Sequence, residues 1–267
     1  MIHYLFQLSD PILFILISFV FIIISLISIV LIKLFVPLSL RYTDNAVIGY
    51  TVNLVSVIYG VLVGISALYL INNNNYTSDA VQREANAVAN IYRETSWLPL
   101  SVQNDIHTEL KNYLIQVINI EWKEMEKGEK VNTAGDIIIN KIDNQLNLYN
   151  KSINNQSIIM YSLVDEVKSL YNARQQRIQK SYESLSPDLW VVILIGTALI
   201  LCINYFFGMN FYLHIGTVVA AALMSASMVF LLVSTDKPFQ GEFIIQPDPF
   251  KAVLALIDNK EFQPSKQ

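Results

Sequence analysis

The stretch from Ala46 to about Ser96 constrains this chain more than any other. Residues Ala46 to Ile71 hold no charged side chain, about 26 residues or roughly 39 Å at helical rise, enough to cross a bilayer with tilt. Gly49, Asn53, Ser56, Gly60 and Gly64 recur at helical spacing, so one face is small or polar, while Leu54, Val55, Ile58, Val61, Leu62 and Ile65 cover the rest. Gly60 and Gly64 form a GxxxG signal for close helix packing. Two readings attach to this face: it packs against another helix, or it, or its edge, lines a pore. No Pro or Gly interrupts the segment from Gly64 to Ser96, and Val81, Ala85, Val88 and Tyr92 keep an apolar stripe past Asn72–Asn75. The spacing predicts one helix continuing beyond the membrane.

Three further apolar runs have spanning length: Pro11 to Ile32, Leu189 to Phe207, and Phe211 to about Ser234 with a small-residue row at Gly216, Ala220 and Ala221. The first is too long for a signal-peptide core and no Ala-x-Ala-like site follows it, so it is expected to stay as a membrane helix. A chain with 53% hydrophobic and 15% charged residues suits four spans and one polar insert. The fold class expected is an all-α integral membrane protein with four transmembrane helices. A helical extramembrane insert lies between the second and third. The segments divide as 1–72 (first helix pair), 73–187 (helical extramembrane domain), 188–234 (second pair) and 235–267 (tail with a short amphipathic helix).

Inside the insert, Leu98-Pro99 should end the first helix. Ile106, Leu110, Tyr113, Val117 and Ile120 mark an amphipathic helix that stops near Gly128. Thr133 with Asp136 reads as a capping box, and the Asn-rich segment from Tyr149 to Gln156 as a loop. Asp44 and Asn45 offer capping oxygens to the second span. In the tail, Phe243 to Ile245 is a short extended candidate. Phe250, Val253, Leu254 and Ile257 share a helical face that needs a cover, either the insert or a neighbouring subunit.

A net charge of −4 without a dense basic face gives no reason to expect nucleic acid as a partner. His3, His107 and His214 stand far apart with no HxxxH or CxxC beside them, so no metal site and no cofactor is expected. No nucleotide-binding or hydrolase motif is present, and enzymatic chemistry finds no support. Cys202, the single cysteine, reads as an inert packed thiol. Glu121, Glu124, Glu126 and Glu129 read as a solvated helix end. Arg174 falls on the stripe Val167, Tyr171, Ile178, where an apolar side chain belongs, so it needs a buried partner. Glu84, beside the Val81/Ala85/Val88 stripe, is the partner expected, giving a structural ion pair of Glu84 with Arg174.

Several short elements then run in a recognisable order. They are Tyr59-Gly60, Glu84-Ala85, Leu98-Pro99, Glu121-Trp122, Arg174 with Arg177, Leu185-x-Pro187-x-x-Trp190, Asp236-Lys237-Pro238-Phe239-x-Gly241, and Pro247-x-x-Phe250. Over nearly the whole chain this resembles the bestrophin-like family of bacterial membrane proteins. Lys237 stands where relatives usually carry Arg. The resemblance implies relation to bestrophins, oligomeric anion channels whose second membrane helix lines the pore. It also implies a homo-oligomer, a pentamer by analogy, with lipid and ions as its partners. Gly49, Asn53, Ser56, Tyr59, Gly60, Val61, Gly64 and Ile65 are the pore or helix-packing candidates. Val61 and Ile65, or Tyr59, form a hydrophobic gate if their side faces the axis. The alternative function is a non-conducting membrane scaffold or sensor whose helical domain binds a partner.

Four spans put the insert and both termini on one side. Arg83, Arg174, Arg177, Lys180 and Lys237 on that side outnumber Lys33 and Arg41 on the other, favouring a cytoplasmic insert in a bacterial inner membrane. The first span argues the reverse, since no Lys or Arg precedes it and Lys33 follows closely.

Overall fold

Nine α-helices make up most of the chain in the computed structural model, which describes residues 9–35, 45–152, 158–241 and 245–261. His3, Arg41, Asp44, the second half of the Asn-rich segment and Phe243 with Ile244 lie outside them. The helices are α1 (Asp10–Phe35), α2 (Asn45–Glu94), α3 (Leu100–Gln116), α4 (Trp122–Glu126), α5 (Ala134–Ser152), α6 (Ile158–Tyr182), α7 (Pro187–Tyr205), α8 (Phe211–Thr235) and α9 (Asp248–Glu261). No strand occurs among the described residues. Four helical stretches are long and apolar enough to cross a membrane, and the protein is an all-α integral membrane protein.

α2 runs unbroken for 50 residues, about 75 Å at helical rise. The Asn72–Asn75 run sits inside it, since asparagine weakens a helix only slightly when neighbours pack well. A 3₁₀ turn, Thr95–Trp97, closes the helix before extended Leu98 and Pro99. The chain forms two compact units, one of residues 1–72, 184–237 and 241–243, the other of 73–183, 238–240 and 244–267.

In the membrane-spanning unit, α1 and α8 pack most closely, and α7 joins them. Ile29, Leu201, Tyr205, Val218 and Ala222 form their common core. The buried row on α8 is His214, Val218, Ala222, Ser225, Ala226 and Val229. The row expected there, Gly216, Ala220 and Ala221, leaves Gly216 and Ala220 exposed. The small residues used for close approach are thus one helical step away. Cys202 is exposed rather than packed, on a helix whose outer surface is apolar. Ser186 caps α7 by accepting a hydrogen bond from the Leu189 amide, with Pro187 in the first turn. Asn45 does not act as a simple cap. Its amide both donates to the Gly208 carbonyl (2.7 Å) and accepts from the Gly208 amide (2.8 Å), fixing the turn between α7 and α8.

In the insert unit, α6 runs antiparallel to the later part of α2. Arg83 bonds Gln176, Asn90 bonds Glu166, and Ser162 bonds Glu94 in descending order. Val88, Ile91, Leu110, Leu114, Ile142 and Leu163 are buried in one core. The tail helix shares it, with Phe250 and Ile257 fully buried, so the insert itself covers that apolar face. α5 continues through Ser152, past the start of the expected loop. Asn132, not Thr133, caps it, its Oδ1 accepting from the Ala134 amide at 3.0 Å.

Between α3 and α4 the helix widens into a π turn, Val117–Glu121. The extra residue turns the following side chains inward. Ile120, expected on the buried stripe, is 44% exposed, while Glu121 and Trp122 are buried. The helix then ends at Gly128, which takes φ +68°, a conformation that glycine adopts without strain.

Candidate functional site

The eight candidate residues on α2 do not share one face. Tyr59 is buried with Val63, Ala67 and Leu70 on the side that packs within the membrane-spanning unit. Its hydroxyl lies 2.7 Å from Thr197 Oγ1, and Thr197 in turn donates to the Ile193 carbonyl. Gly196 on α7 admits the Tyr59 ring. A methyl group there would come within 2.6 Å of Tyr59 Cδ2. Within one chain, then, Tyr59 packs against α7.

Val61 (58% exposed) and Ile65 (64%) lie on the bare side, as do Tyr50, Val57 and Leu68. Asn53 is exposed there as well, and its amide has no hydrogen-bond partner among the described residues. Gly49, Gly60 and Ser56 are half-buried along the edge between the two sides, with Gly64 exposed beside them. A methyl group at Gly49, Gly60 or Gly64 would meet no atom within 4 Å. Within one chain, then, the glycines serve no close packing. The GxxxG face is left open.

The second candidate feature was an ion pair, and here the expected partners change. Arg177, not Arg174, holds Glu84. Its Nε donates to Glu84 Oε2 at 2.7 Å and its Nη2 to Oε1 at 2.9 Å. Arg174 instead pairs with Glu121 through Nη1 and with Asp136 through Nε at 2.9 Å. Arg177 Nη2 also reaches Glu121 at 2.8 Å, so Glu121 bridges the two arginines. The two guanidiniums sit three residues apart on α6 and project from one face. The expected stripe turned only Arg174 inward, but the buried face of α6 runs through Leu163, Val167, Leu170, Ala173, Arg174 and Arg177, with Tyr171 exposed, and Arg177 is the one that reaches Glu84. Glu121, expected as solvated surface, is buried because the π turn directs it inward.

Glu84, Glu121, Arg174 and Arg177 are all fully buried. Tyr113 completes the cluster by donating from its hydroxyl to Glu84 at 2.5 Å. Burial and the Glu84 charge hold the Tyr113 phenol well above its ordinary range. Desolvation alone would lower the Arg177 pKa, but the charge and hydrogen bonds of Glu84, with Glu121 behind them, outweigh it and keep the guanidinium charged. Gly135, near the start of α5, lets the backbone come close to this cluster. A methyl group there would lie 2.5 Å from Glu121 Oε1 and 2.6 Å from Arg174 Cζ. On its other side Arg177 lies 5.8 Å from the rings of Trp122 and Phe250. Phe239 and Phe250 meet Trp122 edge-on at 5.2 and 5.9 Å. The Asp236-to-Phe239 element is thereby accounted for in two parts. Phe239 joins this aromatic group, and Asp236 Oδ1 accepts a hydrogen bond from the Leu185 amide at 2.7 Å within the membrane-spanning unit.

The arrangement is a fully buried ion network, and no group of metal-ligating side chains occurs among the described residues. Of the residues that matter here, Arg177, Glu121, Asp136 and Gly135 were not assigned this role from the sequence. The Arg174/Arg177 spacing was the available signal for the first.

Comparison with known proteins supports this architecture. No curated protein matches the sequence. A bacterial bestrophin homologue from Klebsiella pneumoniae, solved as a point variant, is similar in structure with a TM-score of 0.72 at 12% identity, covering 93% of this chain and 99% of that one. Another structure of a Klebsiella pneumoniae bestrophin homologue gives a TM-score of 0.68 at 12% identity, covering 94% of this chain and 99% of that one. At such identity the likeness establishes the fold alone. The sequence itself matches the Bestrophin-like domain over residues 19–250, most of its length, and the chain belongs to the Bestrophin-like family.

Proposed function

We propose that the protein is an ion channel built as a ring of identical subunits, five by analogy with bestrophins, with α2 nearest the axis. The observation that carries this reading is the bare side of α2. An amide at Asn53 and three glycines stand on or beside a strip that nothing among the described residues covers. An unpaired amide facing hydrocarbon is costly, so Asn53 gains most from water or a polar neighbour. The exposed Ser227 and Thr51 hydroxyls in the spans bond back to their own helices, and so have no such need. Four spans with no buried charge along their middle enclose no hydrated path by themselves, whereas a ring around α2 does. Val61 and Ile65 then form an apolar constriction.

The protein belongs in a bacterial inner membrane with the insert in the cytoplasm, following the excess of Arg and Lys beside the span ends on that side. The test is reconstitution of the purified full chain into liposomes. Expected are ion flux, a multi-subunit species in mild detergent, and altered assembly or flux on Gly60→Leu or Gly64→Leu but less on Leu199→Trp. Chloride and sodium gradients, applied separately, decide whether the anion conduction implied by the family resemblance holds. An intact oligomer that passes no ion would replace the channel with a scaffold.

A further inference from the structure

We infer that the cleft between α1 and α7 is a binding site for one acyl chain of a membrane lipid. Both helices belong to the membrane-spanning unit, and of the pairs among α1, α7 and α8 they touch least. Phe21, Ile24 and Ser28 recur at helical spacing on α1, as do Leu194, Ala198, Cys202 and Tyr205 on α7. The two rows line a cleft of about 220 Å³. Ser28, Ala198 and Cys202 are short, so the helices do not fill the space between them. The hydroxyls at its floor are already used. Thr197 donates to the Ile193 carbonyl at 2.9 Å and Tyr205 to Ser25 at 3.0 Å. A buried water needs two to four polar partners, which this cleft does not offer. An apolar cavity of about 150 Å³ stays dry and takes up a benzene ring, so this larger one has room for a run of methylenes. Left empty, its walls would forfeit dispersion contacts.

The length of the cleft selects the occupant. From Leu194 to Tyr205, the last residue of α7, is about 16 Å at helical rise, half of a hydrocarbon core of about 30 Å. The cleft thus runs from one boundary of the bilayer to its midplane, the depth of a single leaflet. A helix of a second subunit would call for a groove along the whole span. It would also call for a small or polar rim, which helices use to associate in lipid. The rim here is bulky and apolar instead, with Ile24, Ile27, Leu194 and Ile195 each at least half exposed. It continues into the apolar surface that the spans turn to the bilayer, so the medium itself supplies the chain.

The experiment reconstitutes the full chain in liposomes containing a trace of phosphatidylethanolamine with a diazirine midway along one chain. After irradiation, adducts are located by mass spectrometry of peptides from the wild type, Ala198→Trp and Leu199→Trp. Adducts are expected to concentrate on residues 21–28 and 194–205. Ala198→Trp fills the cleft and should abolish them, whereas Leu199→Trp, on the neighbouring exposed side of α7, should retain them. Adducts spread evenly over exposed span residues such as Ile15 and Met224, or unchanged by Ala198→Trp, overturn the inference. Adducts found on dispersed subunits and lost on assembled ones give the cleft to a neighbouring subunit and overturn it too. Cys202, exposed in the cleft, provides a reading that needs no substitution. Stripping lipid from the wild type with detergent should speed its reaction with an apolar maleimide, and returning phosphatidylethanolamine should slow it. A rate indifferent to lipid overturns the inference.

Discussion

Away from the ends of the membrane spans, the buried side chains that hold helices together are neutral. Tyr59 meets Thr197, and Tyr205 donates to Ser25 at 3.0 Å. In the insert, four fully buried side chains carry formal charge and a tyrosine donates to one of them. The difference follows from the surroundings. Lipid chains are as apolar as the helices they surround, so association there relies on close packing and a few hydrogen bonds. A buried ion pair would have little to offset its desolvation. The insert has a water-excluded core of Val, Ile and Leu to draw its helices together. That core tolerates ions provided each is paired, and the pairing fixes which helices meet.

The sharpest way to break this contrast is to unpair one charge. Arg177→Met leaves Glu84 buried with only Tyr113 and should destabilise the insert by about 3–5 kcal/mol. Glu84→Leu combined with Arg177→Met should cost distinctly less, because Glu121 keeps Arg174. Denaturant unfolding of the full chain in mild detergent, followed by tryptophan fluorescence, reads both. Equal and additive effects in the cycle would show that Glu84 and Arg177 are not coupled.

A smaller loss is expected at Tyr113. Tyr113→Phe removes a hydrogen bond to a charged acceptor, a change of roughly 1.5–3 kcal/mol. It also changes the alkaline limb of the stability profile. The fold keeps the phenol protonated to a higher pH than the unfolded chain does. Its contribution is thus whole below about pH 10 and falls as pH rises beyond that. The wild type should lose stability more steeply than Tyr113→Phe above that pH. Parallel profiles would place the alkaline loss elsewhere.

Gly135→Ala tests the steric side of the same cluster. The added methyl must displace Glu121 or Arg174, an overpacking penalty of about 1–3 kcal/mol. Gly60→Ala in the membrane-spanning unit meets open space and should leave the subunit fold unchanged, as judged by unfolding of dispersed subunits.

These contrasts also mark what the sequence made legible. Spans are read from uncharged length, and the long helix from the absence of breakers through Asn72–Asn75. Pairing was harder. Arg174 and Arg177 repeat at helical spacing, so the pattern located the charged face of α6 but not which guanidinium took Glu84. The π turn was invisible to a 3.6-residue period, and it alone exchanged Ile120 for Glu121. Thr133 and Asp136 matched a capping box, yet Asp136 is engaged by Arg174, whose charge attracts it more strongly than a backbone amide does. On α2, a methyl group at either GxxxG glycine would meet no atom of the described residues, so the packing signal has no partner within one subunit.

The smallest effect belongs to the neutral contacts, and it separates two roles for Tyr59, lining the path and packing the span. If Tyr59 lined the path, Tyr59→Phe would change conductance and leave stability alone. Its ring is instead buried against Gly196, and its hydroxyl meets Thr197, which already bonds its own helix. Removing the hydroxyl should therefore cost about 0.6 kcal/mol, the average for such bonds between membrane helices, with conductance unchanged. Gly196→Ala removes the space for the ring itself and should cost more, since the ring and α7 must separate. Both are read as shifts in detergent-induced unfolding, alongside flux in liposomes. A Tyr59→Phe channel of normal stability but altered conductance would move Tyr59 to the axis and turn the packed side of α2 around with it.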